Sequence, residues 1–131
     1  MDYIGGGELF HHIQLKTRFK ENEVKFLAIQ IVLAMGYLHK EFNVIYRDLK
    51  PENIILDEHG YLKLTDFGLS KQAEESNTFC GTPEYVSPEM LAGTGHDKTV
   101  DWWALGILIY ELLSGIPPFY DKDHSVMFEN I

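Results

Sequence analysis

Asp48 and Asn53 stand five residues apart in the run Tyr46-Arg47-Asp48-Leu49-Lys50-Pro51-Glu52-Asn53, the densest cluster of polar side chains in the sequence. An Asp and an Asn at this spacing on one tight loop can face the same point. One can accept a proton while the other ligates a hard cation through oxygen. Lys50 adds a positive charge able to balance a phosphate. Thirteen residues after Asn53, Asp66-Phe67-Gly68 follows a strand-like run and supplies a second oxygen ligand beside a flexible glycine. The plainer reading of these residues is that they cap strands as turn residues.

The elements that must hold them are short. Val44-Ile45, Ile54-Ile55-Leu56 and Tyr61-Leu62-Lys63-Leu64 read as strands, and Asp57-Glu58-His59-Gly60 reads as the turn between the last two. Upstream, Gly5-Gly6-Gly7 opens into a short helix from Glu8 to about Leu15. Val24, Leu27, Ala28, Ile31, Ala34, Met35 and Leu38 then mark one stripe of a second helix. Its start carries Glu21 and Glu23, as the helix dipole favours, but no good side-chain cap. Residues 68–84 are polar and aperiodic, and read as a long loop, of the kind that is functional or disordered. A third helix, from about Lys98 to Ser114, is apolar nearly all round. That pattern predicts burial on every side, with Trp102 and Trp103 in the core. Residues 124–131 read as the first turns of another helix.

Composition bounds the answer without naming it. The 131 residues are 45% hydrophobic, 24% charged and 13% aromatic, which excludes disorder, collagen and a disulfide scaffold. Eleven Lys and Arg against 20 Asp and Glu give a net charge of −9, which argues against nucleic acid and favours basic partners. The single cysteine, Cys80, forbids an internal disulfide and points to a reducing compartment, the cytosol or nucleus. The longest apolar run, Trp102 to Tyr110, is too short to cross a bilayer, and no membrane contact is expected. His11 and His12 are adjacent and face different sides of a helix, so they do not form a metal pair.

Arg47-Asp48-Leu49-Lys50-Pro51-Glu52-Asn53 followed by Asp66-Phe67-Gly68 resembles the catalytic and metal-binding loops of eukaryotic protein kinases. The resemblance continues through Gly81-Thr82-Pro83-Glu84-Tyr85 and Ser87-Pro88-Glu89 to Asp101-Trp102-Trp103-Ala104-Leu105-Gly106, in the expected order. Lys50 and Gly81-Thr82-Pro83-Glu84-Tyr85 are similar to serine/threonine kinases. Tyr46, Thr78-Phe79-Cys80-Gly81 and the opening Met1-Asp2-Tyr3-Ile4-Gly5-Gly6-Gly7-Glu8-Leu9-Phe10 resemble the AGC group. Protein kinase B, serum/glucocorticoid-regulated and ribosomal protein kinases are the nearest in flavour.

The resemblance implies a kinase-like α+β fold: a mostly helical large lobe, with short strands around the catalytic loop. It also implies roles by matched position. Asp48 would accept or orient the substrate hydroxyl proton, Lys50 would stabilise the transferring phosphate, and Thr82 would brace both. Asn53 and Asp66 would hold Mg2+. The backbone of Asp2 and Ile4 would pair with the adenine of ATP, with Ile55 and Thr65 flooring its pocket. Glu8 would meet the ribose and a basic substrate side chain, or serve as a first-turn helix acid. Glu52 would be a second contact for basic residues, implying protein substrates with Arg or Lys before the target Ser or Thr. Asp101 would bind catalytic-loop backbone from the buried helix. Thr78 matches an activation-loop position modified by an upstream kinase, its phosphate pairing with Arg47.

The same resemblance shows what the sequence lacks. It contains no Gly-x-Gly-x-x-Gly loop and no lysine before the hinge-like opening, so the small lobe is absent. Residues 1–131 match roughly the middle half of a kinase domain. Two functional classes follow. One is a serine/threonine kinase of which this is an incomplete piece, inactive alone. The other is a truncated product acting as a docking or regulatory module.

Overall fold

The computed structural model describes residues 6–131. Five helices, α1 (Leu9–Lys16), α2 (Glu21–Glu41), α3 (Pro88–Ala92), α4 (Thr99–Ser114) and α5 (His124–Asn130), surround four short strands. The strands are β1 (Val44–Ile45), β2 (Ile54–Leu56), β3 (Leu62–Leu64) and β4 (Lys71–Gln72). They form two antiparallel ribbons. In β2–β3, Ile54 faces Leu64; in β1–β4, Val44 faces Gln72. The chain belongs to the α+β class expected. No helix among the described residues is long and apolar enough to cross a membrane.

The α2 stripe forms as its spacing predicts. Val24, Leu27, Ile31 and Met35 are buried, and the stripe ends on a buried polar residue, His39. Lys20 precedes the helix and cannot accept a bond from it. Instead the Glu23 carboxylate turns back to accept the Lys20 N–H at 2.7 Å, satisfying one donor at the helix start. The opposite face of α2 stays open: Ile29, Leu33 and Tyr37 are all at least 60% exposed.

The expectation for α4 needs correction. Val100, Ala104, Leu105, Ile107, Leu108 and Leu112 face the core, but Trp102, Gly106, Tyr110 and Leu113 lie on a solvent face. The reason is geometric: α2 covers one side of α4, and the opposite side of the helix faces away from it. Trp102 is therefore not a core residue. Its ring meets His39 edge-on at 5.1 Å, while half-buried Trp103 stacks on Phe119. Gly115 ends α4 at φ +95, and its N–H bonds the Glu111 carbonyl. A Cβ there would come within 2.8 Å of the Thr17 carbonyl, so the close passage of α4 past the end of α1 requires glycine.

The long loop also differs from its sequence reading. Lys71–Gln72 pairs with β1, Ser76 forms an antiparallel bridge with His96, and Pro83–Tyr85 is a 3-10 turn. Two-residue pairings of polar side chains carry no periodic signal, because the backbone makes them. The Asp57–Gly60 turn forms as expected, with Asp57 Oδ1 accepting the N–H groups of His59 and Tyr61. α3 leaves no periodic signal in the sequence, because its five residues are too few to show one.

Candidate active site

One buried carboxylate builds the loop. Asp101, on α4, is fully buried and accepts three bonds. Its Oδ2 takes the Tyr46 N–H at 2.9 Å and faces His39 Nε2 at 2.7 Å; its Oδ1 takes the Arg47 N–H at 2.7 Å. Arg47 sits at φ +67, a conformation that costs a non-glycine residue about 1–3 kcal/mol. The paired backbone bonds to Asp101 hold that conformation in place. Gly81, at φ +108, passes so close that a Cβ would lie 3.1 Å from the Arg47 carbonyl. The chain thus enters Asp48 in a fixed direction.

Asp48 is nearly inaccessible and bound on every side. Asn53 Nδ2 donates to both its carboxylate and its main-chain carbonyl at 2.9 Å. Lys50 Nζ lies 3.2 Å from Oδ2, and the Thr82 hydroxyl reaches Oδ1 at 3.3 Å. Lys50 also donates to Thr82 at 3.0 Å. The structure therefore brings Asp48, Lys50, Asn53 and Thr82 together as one hydrogen-bonded cluster.

The Asp66 loop is tied to this cluster through backbone. The Thr65 N–H and hydroxyl both donate to the Asn53 carbonyl, at 2.9 and 3.2 Å. Tyr46 spans the remaining gap: its phenol donates to the Thr65 carbonyl, and its ring meets Phe67 edge-on at 5.3 Å. Burial, reinforced by Asp48, Asp66 and Asp101, pushes the Tyr46 phenol far above its ordinary range, so it stays a donor. Asp66 is exposed at φ +54, with Oδ1 accepting the Gly68 N–H at 3.1 Å. Asn53 spends its amide nitrogen on Asp48, leaving Oδ1 as a ligand atom. Two such oxygens suit Mg2+, which takes one or two protein ligands and completes its shell with phosphate and water. No group of three or more His, Cys, Asp or Glu among the described residues could hold a metal unaided.

Glu8 precedes α1 rather than lying in its first turn, and bridges to half-buried Ile55 through backbone. Thr65 lies apart from that bridge in the hydrogen-bond pattern, bonded to the Asn53 carbonyl. Asp2 and Ile4 lie outside the described residues. No hydrogen bond joins Thr78 to Arg47; both bond the Ser76 hydroxyl. The Arg47 guanidinium donates to the Leu69 carbonyl and the Ser76 hydroxyl, and Thr78 is exposed. Cys80 packs half-buried against the small cluster of Ile45, Val86, Met90 and Val100.

A second acidic feature was missed in the sequence. Glu52, Glu84 and Glu111 line a cleft of about 230 Å³ with Phe10, Tyr85 and Tyr120. Glu111 is the one carboxylate on the inner face of α4 besides Asp101, and it accepts the Tyr85 hydroxyl. Burial, then Glu52 and Glu84, hold its carboxyl above the ordinary carboxylate range, although the Tyr85 bond opposes this. A lone acid inside an otherwise apolar stripe was the available signal.

The whole chain, residues 1–131, matches the protein kinase domain family. The chain belongs to that family. Over its full length it is 54% identical to the serine/threonine-protein kinase Sgk2 of Homo sapiens and 53% to the serine/threonine-protein kinase sgk-1 of Caenorhabditis elegans. It is equally close to Protein kinase 2 of Dictyostelium discoideum, at 53%. It covers 36%, 29% and 28% of those proteins, respectively, about a third of each.

Proposed function

We propose that these residues form the catalytic and substrate-binding floor of a serine/threonine protein kinase, working in the cytosol or nucleus. Such an enzyme transfers the γ-phosphoryl group of ATP to protein hydroxyls preceded by basic residues. The observation that carries the reading is the clamped Asp48. A buried carboxylate held by Asn53, Lys50 and Thr82 has one orientation. It can accept the substrate hydroxyl proton without reorganising, a contribution of about 10²–10⁴ in rate. Lys50, already beside Asp48, supplies positive charge where the transferring phosphoryl gathers negative charge. Magnesium held by Asn53 Oδ1 and Asp66 would neutralise the nucleotide phosphates.

The acidic cleft supports the substrate preference. Glu52, Glu84 and Glu111 place three carboxyls around a volume suited to an Arg or Lys side chain. The Glu111–Tyr85 bond fixes one of them as an acceptor. Thr78, exposed on the segment that Arg47 anchors, is the proposed target of an upstream kinase.

The 131 residues contain no glycine-rich phosphate loop, so we propose that they are inactive alone. The test is a chimera in which this chain replaces the matching stretch of human Sgk2. The chimera should phosphorylate a serine peptide bearing upstream arginines, and the isolated chain should not. A folded chimera without transfer would reject the catalytic reading in favour of a docking module.

A further inference from the structure

His12 is a polar residue that the proposed function does not use, and its surroundings differ from those of its neighbour. His11 is exposed, whereas His12 is half-buried and its Nε2 lies 2.6 Å from the Gly6 carbonyl. A carbonyl oxygen only accepts, so the imidazole carries its proton on Nε2 and donates. That bond is one of three on successive carbonyls. The Gly7 carbonyl accepts the Leu56 N–H at 2.9 Å, and the Glu8 carbonyl accepts the His11 N–H at 3.1 Å. Glu8 also bridges to Ile55 on β2. Residues 6–8 are thus strapped between β2 and α1. There is no slack on the β2 side: a Cβ at Gly6 would lie 2.6 Å from the Asp57 carbonyl and closer still to that of Leu56. Two adjacent glycines have wide backbone freedom, so this passage keeps one path only where donors restrain it. Two of the three donors are backbone groups, and His12 supplies the third from a side chain.

We propose that His12 is a positioning residue for the nucleotide: by holding the Gly6 carbonyl it fixes residues 6–8 so that the Glu8 carboxylate meets the sugar hydroxyls. This role rests on the kinase reading, in which Ile55 floors the adenine pocket and Glu8 stands beside it. Glu8 is exposed and has no ion-pair partner among the described residues, so its oxygens are open to a ligand. A carboxylate is a strong acceptor for the two neighbouring hydroxyls of a ribose. It binds them well only if its backbone is already in place, because ordering a loop during binding subtracts from affinity. His12 acts through the Gly6 carbonyl, not by touching the nucleotide. Its removal would free the strap without altering the acceptor itself.

The test is nucleotide binding by the Sgk2 chimera, read by calorimetry with ATP and with 2′,3′-dideoxy-ATP, which lacks both sugar hydroxyls. Hydrogen bonds to a charged acceptor should make ATP bind about tenfold more tightly than the dideoxy analogue. His12→Ala should weaken ATP alone and bring the two affinities within about twofold of each other. His12→Gln, whose amide N–H can still donate to the Gly6 carbonyl, should restore most of the preference. An ATP preference that survives His12→Ala would overturn the proposal. Equal weakening of both nucleotides would overturn it too, since that is the mark of a merely structural role. Glu8→Ala separates this failure from failure of the underlying reading. A preference lost in Glu8→Ala but kept in His12→Ala overturns the positioning role alone. A preference kept in Glu8→Ala overturns the sugar contact, and the positioning role with it.

Discussion

Two carboxylates on α4, Asp101 and Glu111, share a helix and a burial yet act differently. Asp101 has backbone N–H donors and shapes the loop; Glu111 has a phenol donor and faces a cleft. Replacing Asp101 with Asn keeps its volume but puts an amide where one oxygen must accept. The Asn variant should lose about 3–5 kcal/mol, as expected for breaking a buried ionic network, read by urea unfolding. Glu111→Gln should instead spare folding and raise KM for an arginine-bearing peptide about tenfold or more in the chimera, with kcat little changed. The pH sign follows from its raised pKa. The carboxylate holds a cation only when ionised, so KM should rise as pH falls through a value above the ordinary 4.5, and this dependence should flatten in Glu111→Gln. For folding the sign is opposite: the native state binds that proton more tightly, so the stabilisation is present at acid pH and is lost as pH rises from 4.5 through the raised value. The cluster of Asp48, Lys50 and Asn53 was legible because all three fall within six residues of one loop. Glu111 was not, because its partners Glu52 and Tyr85 are distant in sequence and meet only after α4 packs.

The elements carry the site by their ends and close approaches rather than by length. β1 is two residues long, yet it delivers Tyr46 and Arg47 to Asp101. Gly81 lets the 68–84 segment lie against that loop. Gly81→Ala combines a positive φ with a 3.1 Å contact on the Arg47 carbonyl, and should cost about 1–3 kcal/mol, seen as a lower midpoint in thermal unfolding. On α4, Leu108→Ala should cost about 2–5 kcal/mol because Leu108 is fully buried, whereas Leu113→Lys on the solvent face should stay within about 0.5 kcal/mol. α2 was legible from its period, since a single buried stripe is what a 3.6-residue repeat records. The solvent face of α4 was not, because its residues are apolar on both sides and periodicity cannot tell which side is covered. The β1–β4 pairing was hidden for a different reason: its residues contribute backbone, and Lys71 and Gln72 have no strand-like composition.

At the scale of the molecule, buried chemistry and open apolar surface sit side by side. Phe26, Ile29, Leu33 and Tyr37 recur at three- and four-residue steps along the outer face of α2, and all are exposed. An apolar stripe of this kind should drive self-association of the isolated chain. Ile29→Lys with Leu33→Lys should lower the association seen by light scattering while leaving the thermal midpoint nearly unchanged. The overall charge of −9 is not spread evenly in its effect: three of the acids gather at one cleft, while Arg47 and Lys71 remain as an unpaired cationic seat among the described residues. Length and composition made one globular unit legible, and the motifs made its family legible. The acidic cleft and the cationic seat required coordinates, because each assembles side chains from three or more segments. We propose above all that Asp48, clamped by Asn53, Lys50 and Thr82, is the proton acceptor in phosphoryl transfer. The direct measurement is labelled phosphate transfer from ATP to an arginine-bearing serine peptide by the Sgk2 chimera with Asp48→Asn. With Asp48→Asn, kcat should fall about 100-fold or more with peptide KM nearly unchanged; a folded Asp48→Asn chimera with undiminished kcat would refute that role.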